Sequence, residues 1–305
     1  MGVSVGHLCY LGWWYVRALA GRRKPLQSVI FLLDRCNLKC RHCSVYAIAE
    51  PRVQTYEQIR SQLQYCYDEG SRYVDFEGGE LYLWQDGDKR IDDVIDLAHE
   101  IGFWSVTITT NAQLPFANSH ADQVWVSLDG VGEMHDAIRG AGAFRRLEEH
   151  IAAAGRQVSV NMVINRINVD DVPHVMDYVM SNSHIADVSF NFHTPFSETE
   201  ELFLDPDRRN QTIDLLLDYK KRGYPIMNTV SGLKAMRMVD GKTLCTDRYC
   251  WVTNFVFSDG SRSPKCMGYT HGVCDRCGFS MGGEMYSLFH LNPDTIRAGL
   301  KLREQ

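Results

Sequence analysis

An α/β fold of parallel strand–helix units, followed by a small cysteine-rich C-terminal domain, is predicted by three features of the chain. Six apolar, strand-like runs alternate with amphipathic stretches. The first of them, "SVIFLLD" (28–34), is continuously apolar, as a strand covered on both faces should be. Of the ten cysteines, five lie between Cys245 and Cys277, where periodicity fades and glycine and turn residues crowd together. Units of this kind form either an open doubly wound sheet or a partial barrel.

The elements follow in order. Residues 1–25, "MGVSVGHLCYLGWWYVRALAGRRKP", are apolar and aromatic, then basic at Arg22, Arg23 and Lys24, then broken by Pro25. Basic residues after the apolar part are the wrong order for a signal peptide, and the run is too short and too interrupted to span a bilayer. It reads as a helix packed on the domain or one lying at a membrane surface. After the first strand, Thr55 caps a helix, Gln58 completes a capping box, and Ile59, Leu63, Cys66 and Tyr67 share one face before Gly70 ends it. Cys66 is thus expected to be a small buried hydrophobe. Strands follow at "YVDFEGGE", "WSVTITT", "QVWVSLDG", "QVSVNMVIN" and "DVSFNFHT". Helices are expected at "IDDVIDLAHEIG", "AFRRLEEHIAAAG", "VPHVMDYVMSN" and "RRNQTIDLLLDYKKRG". The divisions expected are an N-terminal helix (1–25), a core (26–225) and a tail (226–305) held by metal rather than by a large core.

The chain of 305 residues carries a net charge of −6 and has no long Lys/Arg run, which argues against nucleic-acid binding. Its hydrophobic (45%) and charged (23%) fractions are those of a soluble globular protein. Ten cysteines without a secretory signal read as cytoplasmic thiols serving metal binding or catalysis.

Cys36, Cys40 and Cys43 form the spacing CxxxCxxC directly after the first strand. Thiols there sit on a loop at a strand's C-terminal end, where α/β folds build their sites. Structural zinc generally takes four protein ligands, and here the local count is three. A cubane has four irons, so three thiolates leave one iron open to an exogenous ligand.

"CNLKCRHC" resembles the motif of the radical S-adenosylmethionine (radical SAM) superfamily. That resemblance implies a partial (β/α)6 TIM-like barrel over roughly residues 26–225, with Cys36, Cys40 and Cys43 on a [4Fe-4S] cluster and SAM on the fourth iron. His42 occupies the position near the adenine. "EGGE" places Gly78, Gly79 and Glu80 where the family has its GGE motif, and glycines there would let the backbone approach the SAM ammonium. In "TITTNA", Asn111 takes a polar site position and Ala112 stands where glycine is commoner. "VSLDG" supplies Ser127 and Asp129 toward the ribose, and Arg139 is the partner expected for the SAM carboxylate. Asn161, Asn168 and His193 are weaker candidates at the next strand ends.

Cys250, Gly260, Cys266, Cys274 and Cys277 resemble the shortened SPASM/Twitch-type auxiliary domains, with Cys245 to spare. They imply a second [4Fe-4S] cluster, although four thiolates serve a structural zinc equally well. "CDRCGF" and "YVRALAGRRKPL" also resemble the adenosylhopane synthase group. The expected activity is reductive cleavage of SAM to methionine and a 5′-deoxyadenosyl radical that attacks an unactivated carbon. A flavodoxin- or ferredoxin-type reductant would supply the electron. The substrate is a lipid or isoprenoid on the strength of the aromatic N-terminus, or a ribosomal peptide or other natural product on that of the tail. From other classes, an electron-carrying iron–sulfur protein or a zinc-stabilised binding module would need no SAM pocket.

Overall fold

The computed structural model describes residues 5–43, 50–195, 199–244 and 247–301. Helix α1 (Val5–Leu19) precedes the alternating series β1 (Gln27–Phe31), α2 (Tyr56–Glu69), β2 (Tyr73–Glu77), α3 (Ile91–Ile101), β3 (Ser105–Thr110), β4 (Gln123–Ser127), α4 (Glu133–Arg139) and α5 (Ala143–Ala152). The series continues with β5 (Val158–Ile164), α6 (Val172–Ser181), β6 (Ile185–Phe192) and α7 (Pro206–Lys221). Beyond it lie α8 (Val230–Ala235), β7 (Met238–Val239), β8 (Lys242–Thr243), β9 (Thr253–Val256), β10 (Arg262–Ser263), α9 (Met267–Thr270), α10 (Ser280–Phe289) and α11 (Pro293–Lys301).

Strands β1 to β6 are neighbours in chain order, and every pair among them is parallel. That is the order of a partial (β/α)6 barrel rather than of a doubly wound sheet, whose order reverses at a switch point. The cysteine-rich tail joins this sheet instead of standing apart from it. β9 pairs parallel with β1, and β10 pairs antiparallel with β9. Ser28, Ser71 and Asn254 lock that junction through side-chain hydrogen bonds, and Asn254 Nδ2 reaches Cys66 Sγ at 3.7 Å. Cys66 is fully buried beside Ile59 and Leu63, as its place on the apolar stripe of α2 requires. The Thr55–Gln58 capping box is formed, and Gly70 ends the helix.

Helix α10 runs along the open side of the barrel. Its first residue donates a backbone N–H to Asn191 Oδ1 of β6 (2.6 Å), and Met281 Sδ accepts from Thr253 Oγ1 of β9. Its far end reaches Trp14, where Phe289 and Trp251 form an aromatic cluster. Glu284 on this helix accepts from Thr229 N and Oγ1 (2.8 and 2.7 Å), which fixes it against α8.

The two faces of the sheet differ in chemistry. Val74, Phe76, Val106, Ile108, Val124 and Val126 lie on the helix-covered face and are buried. Their alternates form in-register rows on the inner face that are polar except at Trp125. One row runs Asp75, Thr107, Gln123; another runs Trp125, Ser159, Asp187; a third runs Ser127, Asn161, Ser189.

Candidate functional site

Every strand end that carries a candidate residue points the same way, because the strands are parallel. The loop after β1 holds Cys36, Cys40 and Cys43, and the loop after β2 crosses directly over it. Gly79 N donates to Leu33 O (2.8 Å) and Glu80 N to Arg35 O (2.9 Å). A Cβ on Gly79 would lie 2.0 Å from the Arg35 carbonyl oxygen, and one on Gly78 would lie 2.5 Å from that of Leu33. The glycines of "EGGE" are therefore demanded by the close crossing of two loops, one of which carries the thiols. That is a packing requirement in addition to any approach to a cofactor.

Glu80 is fully buried, and its carboxylate accepts from Thr110 Oγ1 (2.8 Å), Asn111 N (2.8 Å) and Tyr82 N (3.2 Å). It thereby ties the top of β2 to the top of β3. Asn111 extends the tie to the cysteine loop: its Nδ2 donates to Asn37 Oδ1 (2.8 Å) and lies 3.6 Å from Cys36 Sγ. Ala112, where the family resemblance leads one to expect glycine, is buried with φ of 55°. That left-handed conformation is the physical reason glycine suits the position.

Asp129, just past β4, is fully buried. Its Oδ2 accepts from Arg139 Nε at 2.6 Å and its Oδ1 from Val163 N at 3.1 Å. Burial pushes its carboxyl up, but the Arg139 guanidinium, with His42, His135 and the Val163 N–H, holds it below the ordinary range. Arg139 Nη1 stands 3.8 Å from Cys40 Sγ, so this ion pair abuts the cysteine loop. His42 Nε2 lies 3.7 Å from Asp129 Oδ2, while its Nδ1 is buried with no hydrogen-bond partner. Burial lowers the His42 imidazole to about 4, with Asp129 opposing and Arg139 reinforcing the shift, so the ring is neutral near pH 7.

The thiols respond to the same surroundings. Burial pushes Cys40 up to about 11, Arg139 opposes this, and the neighbouring Cys43 and Cys36 add repulsion. Burial also raises Cys36, against donation from the Leu38 N–H at 3.4 Å. The three thiols are close enough to influence one another's charge. Among the described residues, however, no three His, Cys, Asp or Glu side chains converge as ligands of a single ion. A cubane is larger than an ion and holds its thiolates farther apart. Three mutually coupled thiols, donors aimed at Cys36 and an orphaned imidazole nitrogen fit a cluster-plus-cofactor site.

The weaker candidates are accounted for differently. Asn168 is a loop pin: it donates to Asp129 O and Val163 O and accepts from Asn165 N. His193 turns its Nε2 to Thr199 O and Oγ1 (3.1 and 3.0 Å) and is buried, which matches a packed histidine. Ser127 and Asn161 stand opposite each other on the inner face, and Asn161 Oδ1 accepts from Asn191 Nδ2 at 2.7 Å.

In the tail, Gly278 N donates to Thr194 Oγ1, Gly278 O accepts from Phe192 N, and Gly268 packs on Thr194. The segment bearing Cys266, Cys274 and Cys277 therefore lies over the C-terminal end of β6. Cys250 instead precedes β9, on a short 3-10 helix (Asp247–Val252) whose Tyr249 and Trp251 pack the far half of α10. The described tail thiols do not form a ligand group for one ion, and Cys245 lies outside the described residues.

Sequence reading overlooked Asp75 and Glu77, which project from β2 onto the inner face below the glycines. Asp75 Oδ1 accepts from Thr107 Oγ1 at 2.7 Å. Burial, then repulsion from Asp75, raises the Glu77 carboxyl. The signal was available in "YVDFE", which alternates in polarity where a strand covered on both faces would not.

Comparison with known proteins agrees with this geometry. Residues 30–179 match the Radical SAM superfamily. The chain is 29% identical over 226 residues to the Fe-coproporphyrin III synthase of Methanosarcina barkeri, covering 67% of this chain and 54% of that protein. It is 33% identical over 162 residues to the mycofactocin maturase MftC of Mycobacterium ulcerans, covering 49% of this chain and 42% of that protein. The chain thus spans about half the length of the curated relatives it matches. Among solved structures, Streptococcus suis SuiB bound to precursor peptide SuiA has the same fold, with a TM-score of 0.65 at 18% identity over 87% of this chain and 65% of that one. With the thiols, the glycine crossing and the barrel in register, residues 30–179 form a radical SAM domain, of the superfamily whose members use a [4Fe-4S] cluster and SAM.

Proposed function

We propose that this chain is a radical SAM enzyme whose substrate is a polar, peptide-like molecule held on the inner face of the barrel. The observation that carries the reading is the largely polar character of that face between β2 and β6, where Asp75, Glu77, Thr107, Gln123, Asp187 and Asn191 outnumber the apolar Trp125 and Val163. Several of these groups pair with one another (Asp75 with Thr107, Gln123 with Ser159, Asn161 with Asn191). An isoprenoid against them would strip water from their remaining donors and acceptors, whereas peptide amides and polar side chains replace that water. The names of two similar proteins, a mycofactocin maturase and SuiB with a precursor peptide, point in the same direction.

When bound, the cluster and SAM supply reductive cleavage of SAM and hydrogen abstraction from an unactivated carbon. The chain's own residues prepare the place. Cys36, Cys40 and Cys43 would hold the cluster by three thiolates, and the Leu38 N–H and Asn111 amide donate toward Cys36. Asp129 fixes Arg139 through Nε, leaving the outer guanidinium nitrogens beside Cys40 for a carboxylate. His42, neutral, offers an unused ring nitrogen to the adenine side. Glu80 and Asn111 hold the strand tops at fixed spacing, and α10 bridges β6 and β9 through Asn191 and Thr253. A flavodoxin- or ferredoxin-type protein in a reducing compartment such as the cytoplasm supplies the electron. A second cluster in the tail, or a zinc ion, would require Cys245 or a rearrangement of Cys250, and no step is assigned to it.

The lipid reading drew on the aromatic N-terminus. That segment packs at the opposite end of the barrel, against Gly70, Lys24 and Trp104. The test is anaerobic turnover of the reconstituted protein with SAM and dithionite. Wild type should form 5′-deoxyadenosine and Cys40→Ala should not. Deuterium should pass into 5′-deoxyadenosine from labelled peptides. Transfer from an isoprenoid alone would overturn the substrate assignment, and a reducible cluster without SAM cleavage would indicate an electron carrier.

A further inference from the structure

Helix α1 is apolar on both sides, yet only one side is covered. The inner side is fastened to the barrel by several independent contacts. Tyr10 Oη donates to Gly70 O (2.7 Å), Trp14 Nε1 to Lys24 O (2.8 Å) and Tyr15 Oη to Leu288 O (3.0 Å), and His7 stacks on Trp104 at 4.0 Å. Trp14 and Ala18 are buried. The outer side carries Val5, Leu8, Trp13, Val16 and Leu19, which share one stripe at helical spacing and are between 46% and 77% exposed. A continuous exposed apolar stripe of this kind marks an interaction surface.

Charge indicates what covers it. Residues 1–33 contain Arg17, Arg22, Arg23 and Lys24 and no Asp or Glu, in a chain whose net charge is −6. Arg22, Arg23 and Lys24 are exposed in the turn that leaves the helix, and Arg17 lies over the Trp13 ring at 4.6 Å. Arg72, the other cation nearby, is engaged by Tyr10 and Tyr67. An aromatic and aliphatic stripe beside an acid-free basic turn is the pattern of a segment seated at the headgroup boundary of an anionic bilayer. No described helix is long and apolar enough to cross a membrane, so such contact would be peripheral.

We propose that the outer face of α1, with Arg22, Arg23 and Lys24, docks the protein onto an anionic lipid bilayer. Apart from Tyr15, which bonds Leu288 near the end of α10, the inner-face anchors of α1 lie at the N-terminal ends of β1, β2, β3 and β9. The cysteine loop, the glycines, Asp129 and Arg139 lie at the C-terminal ends. Docking therefore turns the candidate site away from the membrane, and substrate reaches it from solution.

The test is co-sedimentation of the full chain, reconstituted anaerobically, with vesicles of phosphatidylcholine alone or mixed with phosphatidylglycerol. The protein should partition onto the anionic vesicles and be released by salt. Three basic side chains near such a surface are worth on the order of a hundredfold in partitioning. Arg22→Gln/Arg23→Gln/Lys24→Gln should lose most of that preference. Leu8→Gln/Trp13→Gln/Val16→Gln should lose binding while keeping the thermal midpoint, because these side chains point outward. If the apolar variant unfolds, the charge variant, which lies outside the helix, still decides. Failure to bind anionic vesicles overturns the proposal, as does equal binding to both kinds. So does a wild-type dimer that ignores vesicles and dissociates in the apolar variant, which would make a second copy of the chain the occupant.

Discussion

Replacing Asp129 by asparagine isolates the buried ion pair on which the candidate site is built. The carboxylate is fully buried, bonded to Arg139 Nε at 2.6 Å and to Val163 N at 3.1 Å. Asparagine keeps the volume and an acceptor for Val163 but leaves the Arg139 guanidinium, only 8% exposed, without its counter-charge. Removing one partner of a buried pair costs about 3–5 kcal/mol, whereas removing both costs much less. Asp129→Asn should therefore lower the unfolding free energy of the reduced, metal-free protein by about 3–5 kcal/mol. Arg139→Met should do likewise, and the double variant should fall short of the sum by at least ~2 kcal/mol. Urea denaturation of the four proteins at pH 7 measures the coupling. Additivity within ~0.5 kcal/mol would refute the pairing as the organising contact. The same asparagine variant should bind SAM more weakly, because Arg139 would no longer be held beside Cys40.

The remaining predictions concern the loops, the inner face and the tail. Gly79→Ala should displace the cysteine loop, since its Cβ would lie 2.0 Å from Arg35 O; the readout is loss of cluster absorbance after reconstitution, and full incorporation would contradict it. Ala112→Gly should stabilise the chain or leave it unchanged, by relief of about 1 kcal/mol of left-handed strain set against glycine's entropy, and a clear loss in urea midpoint would contradict it. Glu77 is pushed up to about 8 by burial and then by Asp75, against about 4.3 unfolded. The folded state therefore holds the extra proton between those values, and stability falls as pH rises through that window. Glu77→Gln should gain on wild type from pH 5 to pH 8, and a difference that does not change with pH would exclude the assignment. Iron analysis of anaerobically purified protein should give about eight irons per chain if the tail holds a cluster; about four with bound zinc would assign the tail to zinc.

Much of the barrel was legible because local patterns and tertiary demands coincide. The Thr55–Gln58 capping box, the apolar stripe with Cys66 and the six strand runs each became the element their residues suggest. The C-terminal region was harder to read. Thr253–Val256 is four residues long and becomes a strand only because β1 offers it an edge, which is a non-local fact. α10 contains Gly282 and Gly283, poor helix formers, and Gly283 is there because a Cβ would lie 2.5 Å from the Gly232 carbonyl. At the site, spacing revealed the thiols, whereas the roles of neighbours needed geometry. Glu80 binds strand tops through Thr110 and Asn111, and Asn168 pins a loop, neither of which a motif can express. Asp75 and Glu77 were readable in principle, as polar residues alternating in a strand that would be apolar throughout if both faces were covered.

The central claim is that the loop after β1 holds a cluster by three thiolates and leaves one iron for SAM. Electron paramagnetic resonance of the anaerobically reconstituted, dithionite-reduced protein, recorded before and after adding SAM, tests it directly. To remove any contribution from the tail, the measurement uses a Cys266→Ala/Cys274→Ala/Cys277→Ala variant beside wild type. Both should show a reduced cluster signal that shifts on SAM addition, and Cys40→Ala should lack the SAM-responsive signal. A signal unchanged by SAM in both proteins, or a SAM response that survives in Cys40→Ala, would contradict the account.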